Sequence, residues 1–248
     1  VNDLLGGDFY VDRNQFAERD FGTDPKANQN DLNRPNRILK VGDEFGYNYD
    51  INIKRAAAWM QAVVKFRKID FFLAAEHSYT NFYRNGRTRV GLFPENSYGK
   101  SEKQNFYNYT FKGGVTYKID GRNYLFANGA YMTRAPFFEN AFVAPRTRDI
   151  VQDNVVSERV KSVEGGYVMN APKLKIRLTG YYTEFADQMN VLTFYHDEFR
   201  NFVNYAISGI DKLHFGGEFG IEAKLTSTIT LNAAAALGRY YYDSKQTA

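Results

Sequence analysis

Between residues 173 and 185 the chain reads KLKIRLTGYYTEF, and apolar and polar side chains take turns. Leu174, Ile176, Leu178, Gly180 and Tyr182 hold one parity; Lys173, Lys175, Arg177, Thr179 and Tyr181 hold the other. Successive side chains of a strand point to opposite faces, so the pattern predicts a β-strand with one apolar and one charged face. It runs for roughly twice the common length of a globular strand. The same alternation predicts strands over residues 69–83, 105–119, 212–225 and 228–242. Residues 124–133 and 160–171 read as strands with a less regular alternation. From Phe45 to Ile53 the odd positions are apolar, and from Ala56 to Phe66 the even ones are. That switch near Lys54 and Arg55 predicts a β-bulge there, or a passage from one environment to another.

The connections alternate as the strands do. Short turns are expected at Arg67 and Lys68, at Asp120-Gly121-Arg122, at Ala171-Pro172-Lys173 and at Thr226-Ser227-Thr228. Asp-Gly is a hairpin signal, and Pro suits a turn but not a central strand. Long polar, aromatic-rich loops are expected near residues 84–103, 135–158 and 187–211. Such loops are uncommon in compact soluble domains. Short turns at one end and long loops at the other are the habit of outer-membrane barrels. Gly-Gly recurs at Gly113, Gly165 and Gly216, each time in a strand leading toward a short turn, which marks a structural repeat.

Composition sharpens this. The mean hydropathy is -0.51, and no run of about 18 apolar residues exists that could form a transmembrane helix. Transmembrane strands hide their signal in alternation. Aromatic residues make up 17% of the 248, with 19 Tyr and 21 Phe, and Tyr favours boundaries between apolar and wet surroundings. The absence of Cys excludes disulfides, Cys-ligated metals and thiol chemistry. A net charge of +4 with interleaved signs leaves no nucleic-acid footprint.

A strand over residues 213–225 is about 43 Å long and, tilted about 45°, spans about 30 Å, the thickness of a bilayer core. The apolar face therefore fits lipid, with Leu174, Ile176, Leu178, Phe215, Phe219 and Ile221 pointing out of the barrel wall. The charged face fits a wet lumen, and the residues expected to face it include Lys112, Glu164, Lys175, Arg177, Glu218 and Glu222. The fold class that follows is all-β: an antiparallel up-and-down transmembrane β-barrel, of which this chain supplies about eight strands. Residues 1–44 read as an extracellular, loop-like segment, and residues 45–248 as the barrel section. Both ends would lie on the long-loop side, and the chain ends in DSKQTA rather than an aromatic strand, so a section of a larger barrel is expected.

Three ordered stretches carry a resemblance to a known family. YLFANGAYMTRAP (residues 124–136) resembles a strand that ends in an Arg-Ala-Pro step before a long loop. SERVKSVEGGYVMN (residues 157–170) resembles the following strand with its Ser-x-Glu-x-Gly core at Ser162, Glu164 and Gly166. RLTGYYTEFADQMNV and the segment from Gly209 to Ser244 resemble the next strands, Gly217-Glu218 matching a Gly-x-Glu element. The set is similar to the barrel of TonB-dependent outer-membrane receptors, over roughly residues 106–243. A full receptor also has a plug domain, an energy-coupling box and a terminal aromatic, none of which is recognisable here, and its barrel has 22 strands.

The resemblance implies a Gram-negative outer-membrane location and energised uptake of a bulky, scarce nutrient of the siderophore, glycan, cobalamin or peptide class. It implies as partners the membrane lipid, the nutrient, the TonB system acting through the missing plug, and a surface lipoprotein. No cofactor and no catalytic role are expected. His77 and Ser78 are adjacent in a strand and face opposite ways, so the one cannot serve the other as a base. His196 falls in a loop and His214 on the lumen side. DPKANQNDLN (residues 24–33) is oxygen-rich but lacks a calcium-loop pattern, and reads as a solvated loop. In the loops, Phe137, Phe138, Phe142, Arg146, Arg148, Phe194, Tyr195, Phe199 and Tyr205 are the candidates for ligand contact, with Phe137, Phe138, Arg146, Arg148, Tyr195 and Tyr205 foremost. The competing role, expected for most, is to pack the loops on one another and to form the outer girdle. The two competing readings of the chain are a soluble β-rich binding or adhesion module and a porin-like or structural surface barrel.

Overall fold

A computed structural model describes residues 26–27, 29–36, 42–44, 46–198 and 201–244. Phe45, Phe199 and the start of the 24–33 stretch lie outside the described residues. The elements in chain order are β1 (Tyr49–Lys65), β2 (Ile69–Gly86), β3 (Gly99–Lys100), β4 (Gln104–Lys118), β5 (Asn123–Arg134), α1 (Phe138–Ala141), β6 (Glu158–Ala171), β7 (Leu174–His196), β8 (Asn201–Lys224) and β9 (Thr230–Tyr242). They form one antiparallel sheet in the order β1-β2-β4-β5-β6-β7-β8-β9, with the two-residue β3 paired to β2 off this path. Eight long strands thus follow one another as sequential neighbours, the up-and-down order expected. The sheet is open, with β1 and β9 at its edges.

The short turns are locally encoded. Asp120 Oδ1 accepts hydrogen bonds from the backbone N–H of Arg122 (2.7 Å) and Asn123 (2.9 Å), so one side chain closes the β4–β5 hairpin. Thr226 Oγ1 accepts from the N–H groups of Thr228 and Ile229 in the β8–β9 turn. Only Pro172 and Lys173 separate β6 from β7.

Two expectations are corrected. No bulge interrupts β1: its pairing to β2 runs unbroken from Tyr49↔Gly86 to Lys65↔Asp70. The phase switch reflects what one face meets. Tyr49 packs on the buried cluster at the long-connection end, Ile51 and Ile53 follow it on that face opposite Arg84 and Phe82 and stay exposed, and beyond them the face carries Arg55, Gln61 and Lys65. Residues 187–211 are not a loop either. β7 and β8 run through most of that segment, pairing Leu192 with Tyr205 and Phe194 with Val203. Their β-branched and aromatic side chains make a two-stranded ribbon from a stretch whose interspersed polar residues read as irregular.

Register assigns every strand residue to a face, because directly paired residues of an antiparallel sheet share one. On the apolar face, Tyr167, Leu178, Phe219 and Ala235 line up across four strands. Among the described residues no second layer covers this face: Leu73 is 63% exposed and Leu178 52%. On the polar face one row runs Phe72, Gly114, Asn128, Glu164, Tyr181, Gly216, Gly238.

That row explains the Gly-Gly repeat. One glycine of each pair lies on the polar face beneath the aromatic directly opposite: Phe72 over Gly114, Phe126 over Gly166, Tyr181 over Gly216. A Cβ on Gly166 would stand 2.0 Å from the Leu178 carbonyl oxygen and 2.8 Å from the Phe126 ring. One on Gly216 would stand 2.3 Å from the Leu237 oxygen. The glycines are sockets into which large rings lie flat against the sheet.

Candidate functional site

The buried core lies at the long-connection end. Phe82 from β2, Phe106 from β4, and Phe138, Ala141 and Phe142 from the 135–158 connection pack together, with Tyr49, Ala135, Val151 and Val155 against them. Phe138 and Phe142 stack at 4.5 Å between centroids, and Phe138 meets Phe82 edge-on at 5.8 Å. An apolar anchor therefore holds the 135–158 connection on the sheet.

Arg84 fastens it from the other side. Its side chain is 1% exposed, its Nε donates to the Pro145 carbonyl at 2.6 Å, and its Nη1 donates to the Ser97 carbonyl at 2.7 Å. Its guanidinium lies 5.2 Å from the centre of the Tyr49 ring. One buried cation thus joins both long connections to the strand rim. Gly86 makes room: a Cβ there would fall 1.8 Å from the Ser97 oxygen. The Asp149 N–H donates to the Asn96 carbonyl, closing the two connections on each other. Residues 29–36 join this cap, Leu32 N–H donating to Arg89 O and Gly91 N–H to Gln29 O.

The candidates for ligand contact separate into two groups here. Phe138 is 5% exposed in the apolar anchor, so it packs the cap and is not presented to a ligand. The guanidinium of Arg146 lies 5.3 Å from the Tyr47 ring and that of Arg148 4.6 Å from the Phe93 ring, tying segments together. Phe137 is exposed beneath the Arg134 guanidinium, which is itself held by buried Glu158 at 2.7 Å. Tyr195 and Tyr205 stand half-exposed on the β7–β8 ribbon, Tyr205 with its ring 6.3 Å from that of Phe194. The structure does not gather these candidates into one pocket. Sequence reasoning passed over Arg84, because its partners lie 13 and 61 residues away and no local pattern announces them.

The six charged candidates share the polar face. Lys175 Nζ meets Glu222 at 3.0 Å across β7 and β8. Asn128 Nδ2 donates to Glu164 at 2.7 Å. Arg177 lies 5.1 Å over the Phe126 ring and donates to Thr179 Oγ1 at 3.3 Å. Trp59 shares this face by register, opposite Glu76, and is 74% exposed. His77 lies on the apolar face between the rings of Tyr107 and Tyr109, while Ser78 is buried on the other. His214 sits between the rings of Phe185 and Tyr240. Among the described residues no three His, Asp or Glu gather as a metal site.

No protein-family model matches the sequence, and no curated protein does. Solved structures match it in fold. The copper transporter OprC superposes with a TM-score of 0.64 at 14% identity, over 78% of this chain and 31% of its own. The siderophore receptor PirA from Pseudomonas aeruginosa gives 0.57 at 9%, over 79% and 44%. The alcaligin outer-membrane receptor FauA from Bordetella pertussis gives 0.51 at 14%, over 79% and 31%. The chain therefore spans between 31% and 44% of each, and its fold is that of a section of an outer-membrane receptor barrel.

Proposed function

We propose that this chain is part of the barrel wall of a Gram-negative outer-membrane receptor that imports a bulky nutrient. Its polar face lines the lumen, its apolar face meets lipid, and the cap of long connections faces outward from the cell. The observation that carries the reading is the segregation of the two faces. All six charged residues singled out on the strands stand on one face; the other is mainly Leu, Ile, Phe, Tyr and Ala, and its charged residues, among them Lys54, Arg159, Lys161, Glu184 and Arg239, lie away from the short-turn end. A soluble module would need a second layer over that apolar face. The sheet's free edges point the same way: within a membrane every backbone group must be paired, so β1 and β9 need further strands of a larger barrel.

In this reading uptake is energised through TonB acting on a plug domain, and no catalytic step is involved. Lys112, Glu164, Lys175, Arg177, Glu218 and Glu222 wet the lumen. Phe137, Arg146, Tyr195 and Tyr205 are the ligand-contact candidates left exposed at its mouth, and the nutrient belongs to the siderophore, glycan, cobalamin or peptide class. The test uses the complete receptor in a Gram-negative host, screened for uptake of ferric siderophores, cobalamin, oligosaccharides and peptides. Uptake of one of them should disappear in a host lacking TonB. It should also disappear on deletion of residues 135–158, with the barrel still assembled in the outer membrane. Uptake that survives both changes would contradict the reading.

A further inference from the structure

The two kinds of long connection differ in how they are attached, and the difference lies in the β7–β8 pair. Below residue 185 the pairing is regular, ending at Phe185↔Lys212. It resumes at Gln188↔Ile210 and again at Asn190↔Ile207, with a register shift at each step. The first shift leaves two extra residues in β7 against one in β8; the second leaves one in β7 against two in β8. Each strand therefore carries a bulge, and the second restores the alignment lost at the first. Each bulge contains a left-handed residue, Asp187 at φ 59° and Gly209 at φ 64°. Such bulges bend a strand and sharpen its twist at one point. Two of them on facing strands at one level make a joint rather than a gentle curve.

Above the joint, residues 190–196 and 201–207 form a two-stranded ribbon. Side-chain bonds tie it to the cap at two places: Asn204 Nδ2 donates to Val143 O at 2.9 Å, and Gln152 Nε2 reaches Asn190 O at 3.5 Å. At the joint itself the bracing is ionic and comes from the neighbouring strands. Arg159 Nε donates to Asp187 Oδ2 at 2.6 Å, and the Asp187 N–H donates to Asp211 Oδ1 at 3.0 Å. From β9's end, Ser244 Oγ accepts from the Asp211 N–H and donates to Gly209 O. The 84–103 and 135–158 connections have no such joint and share the Phe82–Phe138–Phe142 anchor and Arg84.

We propose that the ribbon is a hinged arm, pivoting at Asp187 and Gly209 while the Arg84 cap stays fixed, with Arg159 as the clamp that sets its resting angle. A hinge needs a few residues that absorb the backbone change while the segments on either side stay rigid. The arm's exposed side chains, Leu192, Phe194, Tyr195 and Tyr205, move with it. What the arm closes over rests on the reading of the polar face as a lumen; the motion itself does not. At about 3.3 Å per residue the arm is roughly 20 Å long, so a swing of about 30° carries its tip about 10 Å.

This chain has no Cys, so spin labels can be placed at chosen sites in it, within a full-length protein whose other segments are made Cys-free and held in bilayers. One pair, Thr193→Cys with Leu92→Cys, reports arm against cap; a second, Leu92→Cys with Val156→Cys, reports within the cap. Pulsed electron–electron distance measurement should give one narrow distance for the cap pair. The arm pair should give two populations, or one several times broader, and Arg159→Ala should broaden it further without touching the cap pair. Asp187→Gly keeps the left-handed joint but removes the carboxylate that Arg159 holds, so it should broaden the arm distance in the same way if Arg159→Ala harms folding. An arm distance as narrow as the cap's, unmoved by either substitution, would overturn the hinge. That result would leave the transport reading standing, and a failed uptake screen would leave the distances interpretable.

Discussion

The two glycines of each Gly-Gly pair are neighbours in sequence but stand on opposite faces of the sheet, and they obey different rules. Gly114, Gly166 and Gly216 on the polar face each lie under an aromatic ring, and a Cβ on any of them would strike an atom at 2.3 Å or closer. On the apolar face a Cβ on Gly217 would meet nothing nearer than 3.6 Å, and one on Gly165 nothing nearer than 3.3 Å. The polar face is thus closely packed in the plane of the sheet although open above it. The apolar face is open and takes its packing from whatever solvent it meets. One face is shaped by the protein's own rings, the other by its surroundings.

The sharpest way to break this contrast is to fill one socket on each side. Gly166→Val forces a side chain against the Leu178 backbone and the Phe126 ring, so β6 and β7 must part locally. Overpacking of this kind costs about 1–3 kcal/mol, or more where backbone has to move. The barrel should assemble poorly, as read by the heat-modifiable migration of folded outer-membrane proteins on gels. Gly217→Ala should fold as the parent does. Equal effects at the two positions would dissolve the contrast.

Next in size is charge. Leu178→Arg puts a cation on the apolar face and should lower folding stability in lipid vesicles by about 2–4 kcal/mol near the bilayer midplane. Arg177→Leu, one residue away, removes a cation that rests on Phe126 and Thr179 at the polar face, and should cost well under that. A larger loss for Arg177→Leu than for Leu178→Arg would invert the two faces.

These contrasts are largely legible in the sequence, because a strand's period is two. Lys175 and Arg177 against Leu174, Ile176 and Leu178 is such a case. The turn at Asp120 was legible for another reason: its side chain bonds its own neighbours. What could not be read was set by partners far away in the chain. Phe138 is buried because β2 and β4 bring Phe82 and Phe106 beneath it. Arg84 ties segments up to 61 residues apart. The ribbon was misread as a loop because its two bulges shift the phase of the alternation twice within a few residues.

The smallest expected effect belongs to the short-turn end. Backbone N–H of Arg122, then the Asn123 side chain, hold the Asp120 carboxyl below its ordinary pKa. A depressed carboxyl stabilises the fold above the unfolded-state value of about 3.9, and the contribution fades as pH falls through the lower folded value. The stability gap between the parent and Asp120→Asn should therefore be constant from neutrality to about pH 4 and shrink below it. A gap that widens in acid would contradict the turn's assignment.

The central claim is that the alternation from Lys173 to Tyr182 divides lipid from water. This chain has no Cys, so single Cys substitutions can be placed at each of these positions in it, within a full-length protein whose other segments are made Cys-free, and spin-labelled in bilayers. Collision with oxygen, which concentrates in lipid, is then compared with collision with a water-soluble nickel chelate. Oxygen should prevail at Leu174, Ile176 and Leu178, and the chelate at Lys175, Arg177 and Thr179, with a period of two. A profile without that period, or with its phase reversed, would contradict the account.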